Sequence, residues 1–158
     1  MIRINDVHAI NIISKLTYVD YVPATNYCIA NYDTQDKLTG GGIFNRDTGF
    51  SIQVHIAILT PRVSHRAMIW LGFWYAFKIL GRRKLFILVP EWNIKSRRLA
   101  DHFGFCEDAY IPNMFENGGI YVMSMWDYEC KWLDMKPPKI EFAPMEKTSI
   151  VPPEVENV

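Results

Sequence analysis

The 158-residue chain has few cysteines, and those it has are far apart. Cys28, Cys106 and Cys130 form no CxxC pair and are odd in number, so the sequence indicates neither a disulfide framework nor a metal site. We therefore expect reduced, buried thiols and a cytoplasmic protein. Residues 1–10 lack the apolar core of a signal peptide. The longest uninterrupted apolar run, residues 67–77, is too short to span a bilayer, which predicts a soluble protein with no membrane partner.

The chain also lacks net charge, since 17 Lys and Arg balance 17 Asp and Glu. This balance argues against a general nucleic-acid-binding protein, which carries an excess of basic residues. The basic residues are nonetheless clustered. Nine of them lie between Arg62 and Arg98, where Glu91 is the sole acidic residue. A basic helix start inside a strand-helix-strand unit indicates a bound anion, such as a phosphorylated cofactor.

What the chain does have is enough apolar sequence for a core, because 49% of its residues are hydrophobic. Their spacing predicts one domain of the α/β (α+β) class. The expected element order is β-α-β-β-β-α-β-α-β-β. We expect strands at 1–4, 26–32, 38–44, 50–59, 85–89 and 120–126, and the order places a seventh between residues 103 and 120. The strand at 85–89 is a continuous apolar run, which predicts that it is buried on both faces. We expect helices at 6–18, from 60 or 64 to 80, and at 94–103.

A run of three glycines, Gly40 to Gly42, lies inside the predicted third strand. No Lys-Ser or Lys-Thr follows it and no helix begins there, so it is not a phosphate-binding loop. A run of this kind favours a bulge or a close approach of another backbone.

The last 23 residues differ in composition from the rest. Residues 136–158 contain five prolines and no amphipathic period. We expect a domain at 1–135 and an extended proline-rich arm at 136–158. The arm is expected to lie against its own domain or to contact a second copy or another protein partner.

The segment after the fifth strand carries a family pattern. It reads N-x-x-S-x-x-L-x-x-x-x-G-F and begins at Asn93 and ends at Phe105, and the apolar strand at 120–126 follows it. Together with the element order, residues 1–126 resemble the GNAT (N-acetyltransferase) superfamily, including small GNAT-like proteins of bacteriophages. The resemblance implies a mixed, mostly antiparallel sheet flanked by helices. It also implies acetyl-coenzyme A as cofactor and an amine as acetyl acceptor.

In the family, the turn after the fourth strand holds the pyrophosphate of acetyl-coenzyme A through a glycine-containing pattern. This chain lacks those glycines. Two interpretations of this turn stay open. In the first, its basic side chains bind an anion in place of the glycine backbone; in the second, the basic helix start is only solvated. The cofactor-binding residues that the resemblance implies lie at the turn and at the next helix start: Leu59, Arg62, Ser64, His65, Arg66, Ala67, Asn93 and Arg97.

The catalytic candidates that the resemblance implies are His55, Glu91 and Tyr121. His55 has a suitable intrinsic pKa for a general base, although a histidine with a structural role in the sheet fits the same position. Ala100 stands where many members have the tyrosine that protonates the departing thiolate, so Tyr110 or Tyr121 would have to take that part.

Two functions follow from the sequence. The first is a cytoplasmic acetyl-coenzyme A-dependent N-acetyltransferase. The second is a non-catalytic GNAT-fold protein used for assembly or binding, for example in a bacteriophage virion or in contact with its host. The missing glycines and Ala100 favour the second function, whereas the element order favours the first.

Overall fold

The computed structural model describes residues 1–60 and 66–143. Seven strands and three α-helices lie in these residues, in the predicted order. They are β1 (Ile2–Ile4), α1 (Val7–Thr17), β2 (Tyr27–Tyr32), β3 (Leu38–Asn45), β4 (Ser51–Ile58), α2 (Arg66–Trp74), β5 (Lys84–Pro90), α3 (Ile94–Phe103), β6 (Cys106–Phe115) and β7 (Gly118–Trp126). A π-helical turn, Tyr75–Ile79, extends α2.

All seven strands join one sheet, in the order β1-β2-β3-β4-β5-β7-β6. Every neighbouring pair is antiparallel except β4 and β5, which run parallel. The parallel pair needs a crossover, and α2 provides it. The predicted class, a mixed and mostly antiparallel sheet flanked by helices, is confirmed.

The helices begin and end at the residues that local chemistry favours. The Asp6 carboxylate accepts a hydrogen bond from the Ala9 N–H, and the Asn93 side chain accepts one from the Ser96 N–H. Gly104 ends α3 with a φ of 100°, a conformation that glycine adopts at low cost. Within the described chain, no helix is both long and apolar enough to cross a bilayer.

The glycine run confirms the prediction of close approach. A Cβ atom on Gly41 would collide with Ile13 of α1 and lie 2.9 Å from the carbonyl oxygen of Ile29. The β2–β3 register also shifts beside the run, because Asn31 pairs with Gly40 whereas Tyr32 pairs with Leu38. Glycine therefore lets α1 sit directly on the sheet.

The two faces of the sheet are covered differently. On one face, α1 packs on β2, β3 and β4 through Ala9, Ile10 and Ile13. On the other face, a larger core joins the sheet to α2 and α3. We predicted that β5 would be buried on both faces, and this is wrong. Leu85 and Val89 are buried, but residues 86–88 between them are only partly covered, because α1 packs against the strands on the other side of β4.

The cysteines are free but not all buried. Cys28 and Cys130 are buried as predicted. Cys106 is exposed, which corrects the prediction, because it opens the edge strand β6, whose residues are all exposed.

The start of the proline-rich arm pairs with β1. The Ile2 N–H donates to the Glu141 carbonyl oxygen at 2.6 Å, and the Ala143 N–H donates to the Ile2 carbonyl oxygen at 2.9 Å. Residues 141–143 thus extend the sheet edge parallel to β1. The remaining arm residues, 144–158, lie outside the described residues, and the arm's role as a partner-binding segment stays a prediction.

Candidate functional site

The parallel strands β4 and β5 separate partway along their length. They pair only where Ser51–Gln53 face Lys84–Phe86, although β4 continues to Ile58 and β5 to Pro90. A wedge therefore opens toward the carboxyl ends of the two strands, and we call it the β4–β5 wedge. Backbone amide and carbonyl groups are obligatory hydrogen-bonding groups, so diverging inner edges of this kind suit an extended ligand that carries amides.

The helix α3, which follows β5, begins at Ile94, at the open end of the wedge. The first described residues of α2, Arg66 and Ala67, lie instead beside β1, three strands away from β4. The first N–H groups of a helix have no partner within the helix and carry partial positive charge. The open end of the wedge is therefore suited to an anion.

One side of the wedge adjoins an apolar cavity between α2 and the sheet. Gly72 and Met68 of α2, Val54 and Ile56 of β4, and Phe103 of α3 contribute to its walls. A charged group would lose its hydration there without compensation, so the cavity suits an aliphatic part of a ligand.

Three predicted residues come together on the α3 face of β5 and β7. The Glu91 carboxylate accepts hydrogen bonds from the Tyr110 hydroxyl and from the Gly119 N–H, both at 2.8 Å. The Tyr110 and Tyr121 rings lie 4.9 Å apart. The Arg97 guanidinium lies 4.4 Å from the centre of the Tyr121 ring. Glu91, Arg97 and Tyr121 thus form one cluster, which the sequence suggested only as separate candidates.

The hydrogen bonds of this cluster shift the pKa values of Glu91 and Tyr110. The Gly119 N–H and then the Tyr110 hydroxyl lower the pKa of Glu91, and the hydrogen bond to Glu91 raises the pKa of Tyr110. Glu91 is therefore ionised at neutral pH and already accepts two hydrogen bonds. It is a weak base that is well placed to fix the position of the β6–β7 hairpin.

His55 lies on the other face of the sheet. It pairs with Ile43, which packs under α1, whereas Tyr121 lies under α3. The His55 Nε2 atom is 3.0 Å from the Asn45 Oδ1 atom. Burial, assisted by Arg46, lowers the pKa of His55 to about 4, so its imidazole is neutral at pH 7. The structure does not bring His55 together with Glu91 and Tyr121.

The predicted cofactor residues divide into three groups. Leu59 follows β4 and is exposed, while Arg66 and Ala67 open α2 and line a cleft between β1 and residues 138–141. Asn93 caps α3, one turn before Arg97. Residues 62, 64 and 65, predicted as Arg62, Ser64 and His65, lie outside the described residues.

Other polar residues near the wedge were missed from sequence. The Lys84 Nζ atom lies 2.6 Å from the Asp108 carboxylate, which also accepts a hydrogen bond from the Ser124 hydroxyl at 2.7 Å. Three strands contribute to this group, so no local pattern reveals it. Gln53 was not missed: it alternates with apolar residues in β4, so the sequence places it with His55 on the polar face of that strand. Ala100 is buried in α3, and its methyl side chain cannot donate a proton.

No protein-family model and no curated protein matches the chain, but solved structures do. The spermidine N-acetyltransferase from Vibrio cholerae in complex with CoA and spermine has a TM-score of 0.67 at 17% identity, over 82% of this chain and 96% of that one. Mutant forms of the spermidine/spermine N-acetyltransferase SpeG from the same organism give 0.68 at 18%, over 85% and 97%. A dodecameric structure of the enzyme gives 0.66 at 16%, over 80% and 93%. At these identities, the similarity is one of fold.

Proposed function

Since the chain has the fold of the GNAT superfamily of N-acetyltransferases, we propose that it binds acetyl-coenzyme A in the β4–β5 wedge and transfers the acetyl group to an amine. The observation that carries the proposal is the wedge itself. Its two parallel strands part after three paired residues and expose their inner edges toward the start of α3. The neighbour with bound CoA supports the choice of ligand.

The wedge fits the chemistry of coenzyme A. The pantetheine arm is an extended chain with two amides, which match the backbone groups along the diverging strands. Its aliphatic parts suit the apolar wall formed by Val54, Ile56 and Met68. Its phosphates suit the start of α3, where Arg97 supplies a positive charge. Bound acetyl-coenzyme A supplies an activated thioester that an amine can attack.

The chain's own residues would mainly position the reactants. Backbone groups of β4 would orient the thioester carbonyl beside the acceptor, which supplies rate through proximity. Glu91 and Tyr110 would hold the β6–β7 hairpin against the end of β5. Arg97, whose guanidinium lies over the Tyr121 ring one turn into α3, would supply a positive charge to the phosphates.

Arg97 gives a test with a matched control on the same helix. We expect Arg97→Ala to weaken coenzyme A binding about tenfold, because one charge-assisted hydrogen bond contributes about 1.5 kcal/mol or more. Arg98→Ala removes an exposed charge from the same helix and should change the affinity less than twofold. Isothermal titration calorimetry with coenzyme A measures the affinity of both variants. Equal effects of the two substitutions would contradict the placement of the phosphates at the start of α3.

Two observations favour a second function, binding without catalysis. Ala100 is buried where many family members have an acidic tyrosine, and Glu91 already accepts two hydrogen bonds. A binding protein of this kind would take up coenzyme A but release no thiol from acetyl-coenzyme A in the presence of amines. Thiol release measured beside the titration separates the two functions.

A further inference from the structure

We propose that the acceptor is a weakly basic amine, typified by the α-amino group of a peptide, which binds as the free base and donates an N–H to the Oε1 atom of Gln53. The proposal rests on the proposed function and deepens it. It is carried by a buried acceptor atom at the origin of the β4–β5 wedge and by the charges around that atom.

Gln53 is the last β4 residue that pairs with β5. Its side chain is only 1% exposed, and Oε1 has no hydrogen-bond partner among the described residues. A buried acceptor without a partner destabilises a fold, and such atoms call for an explanation. Because the wedge opens directly after Gln53, a ligand in the wedge comes within reach of this atom.

Gln53 belongs to a row of residues that cross the sheet on the face opposite α2 and α3. Gln53 pairs with Asn45 of β3 on one side and with Phe86 of β5 on the other. Phe86 in turn pairs with Ser124 of β7. His55 is the next residue along β4 that points to the same face. The row offers neutral hydrogen-bonding groups beside one aromatic ring.

The charges near this row are already neutralised or positive. Asp108 is ion-paired with Lys84 and hydrogen-bonded by Ser124, which lower its pKa. At the ends of the strands, Asp47 pairs with Arg82 and Asp127 with Arg83. The helix on this face, α1, turns apolar side chains to the sheet. Arg46 adds a positive charge near His55. Each of these three carboxylates already has a cationic partner.

The two candidate bases in the part of the chain that the structure describes, His55 and Glu91, are poorly suited to deprotonate an ammonium group. The neutral His55 holds a proton too weakly, because burial lowers its pKa to about 4. Glu91 lies on the other face and already accepts two hydrogen bonds. The acceptor must therefore arrive as the free amine.

This requirement selects among amines by their basicity. An α-amino group has a pKa of about 7.7–8.0, and a lysine-like alkylamine one of about 10.4. At pH 7.5, roughly a third of the former but only about 0.1% of the latter is the free base. In the reaction, the amine nitrogen forms a bond to the acetyl carbon and the carbon–sulfur bond breaks. One proton of the amine ends on the departing thiol.

The test compares two acceptors, alanylalanine amide and spermidine, by thiol release from acetyl-coenzyme A. At pH 7.5 we expect kcat/KM to be at least tenfold higher for the dipeptide amide and to rise with pH to about 8. Gln53→Met should raise the KM for the dipeptide amide at least tenfold. Coenzyme A affinity should not change, and the unfolding temperature should stay equal or rise, because the unpartnered acceptor is removed.

Asn31→Leu is the matched control. Asn31 is a buried amide that is satisfied, since its Nδ2 atom donates to the Thr39 hydroxyl at 2.8 Å. Its replacement should lower the unfolding temperature and leave the KM unchanged. Preference for spermidine, or a Gln53→Met variant with an unchanged KM, would overturn the proposal. Binding of coenzyme A without turnover of either amine would also overturn it, whereas absent coenzyme A binding would overturn the proposed function itself.

Discussion

Replacing Phe73 with alanine should lower the free energy of unfolding by about 3–5 kcal/mol, the usual cost of removing a buried aromatic ring. Phe73 is 4% exposed. Its ring lies 6.3–6.4 Å from those of Phe77, Phe103, Phe105 and Trp132. The residue joins α2 to α3 and to the chain after β7, so the cavity left behind has little freedom to collapse. Denaturant unfolding followed by fluorescence measures the change.

Tyr128→Ala is the control for Phe73→Ala, because Tyr128 is an aromatic residue that is 70% exposed. Its loss should cost no more than about 1 kcal/mol. Since α2 forms one wall of the apolar cavity, Phe73→Ala should also weaken coenzyme A binding. A loss for Phe73→Ala no larger than that for Tyr128→Ala would contradict the assignment of Phe73 to the joint between the helices.

Replacing His55 with glutamine should reduce the loss of stability that the fold shows on acidification. Burial lowers the pKa of His55 from 6.5 to about 4. The folded state therefore binds this proton less readily than the unfolded chain does. The related stabilisation is complete above pH 6.5 and is lost as the pH falls from 6.5 toward 4. A shift of this size corresponds to about 3 kcal/mol.

The measurement is the free energy of unfolding at pH 7.5 and at pH 4.5, by denaturant titration. The wild type should lose stability between these two values, and His55→Gln should lose clearly less. His8→Gln changes an exposed histidine on α1 and should keep the wild-type loss. An unchanged pH dependence in His55→Gln would show that His55 is not the buried group that responds to acid.

Local signals in the sequence predicted most of the elements. Asp6 and Asn93 cap helices through short-range hydrogen bonds, and Gly104 ends one through its positive φ. Such features depend on neighbours within four residues, so they can be read along the chain. The alternation in β4 predicted a strand for the same reason.

Contacts between distant strands could not be predicted in this way. The period of a strand shows which residues share a face, but not which helix covers it. For that reason the sequence suggested both His55 and Glu91 as catalytic candidates, although they lie on opposite faces of the sheet. His55 is on the face that α1 covers, and Glu91 is on the face that α3 covers. The exposure of Cys106 also depends on its strand becoming the sheet edge. The hydrogen bonds that occupy Glu91 come from two residues, 19 and 28 positions away.

The central claim is that coenzyme A lies in the β4–β5 wedge, and amide hydrogen exchange with and without coenzyme A tests it most directly. We predict slower exchange at residues 54–58 of β4 and 87–89 of β5, which bound pantetheine would cover. The amides of β2, which pairs with β1 and β3 away from the wedge, should keep their rates. Unchanged exchange in the wedge at millimolar coenzyme A, or protection confined to another part of the sheet, would contradict the account.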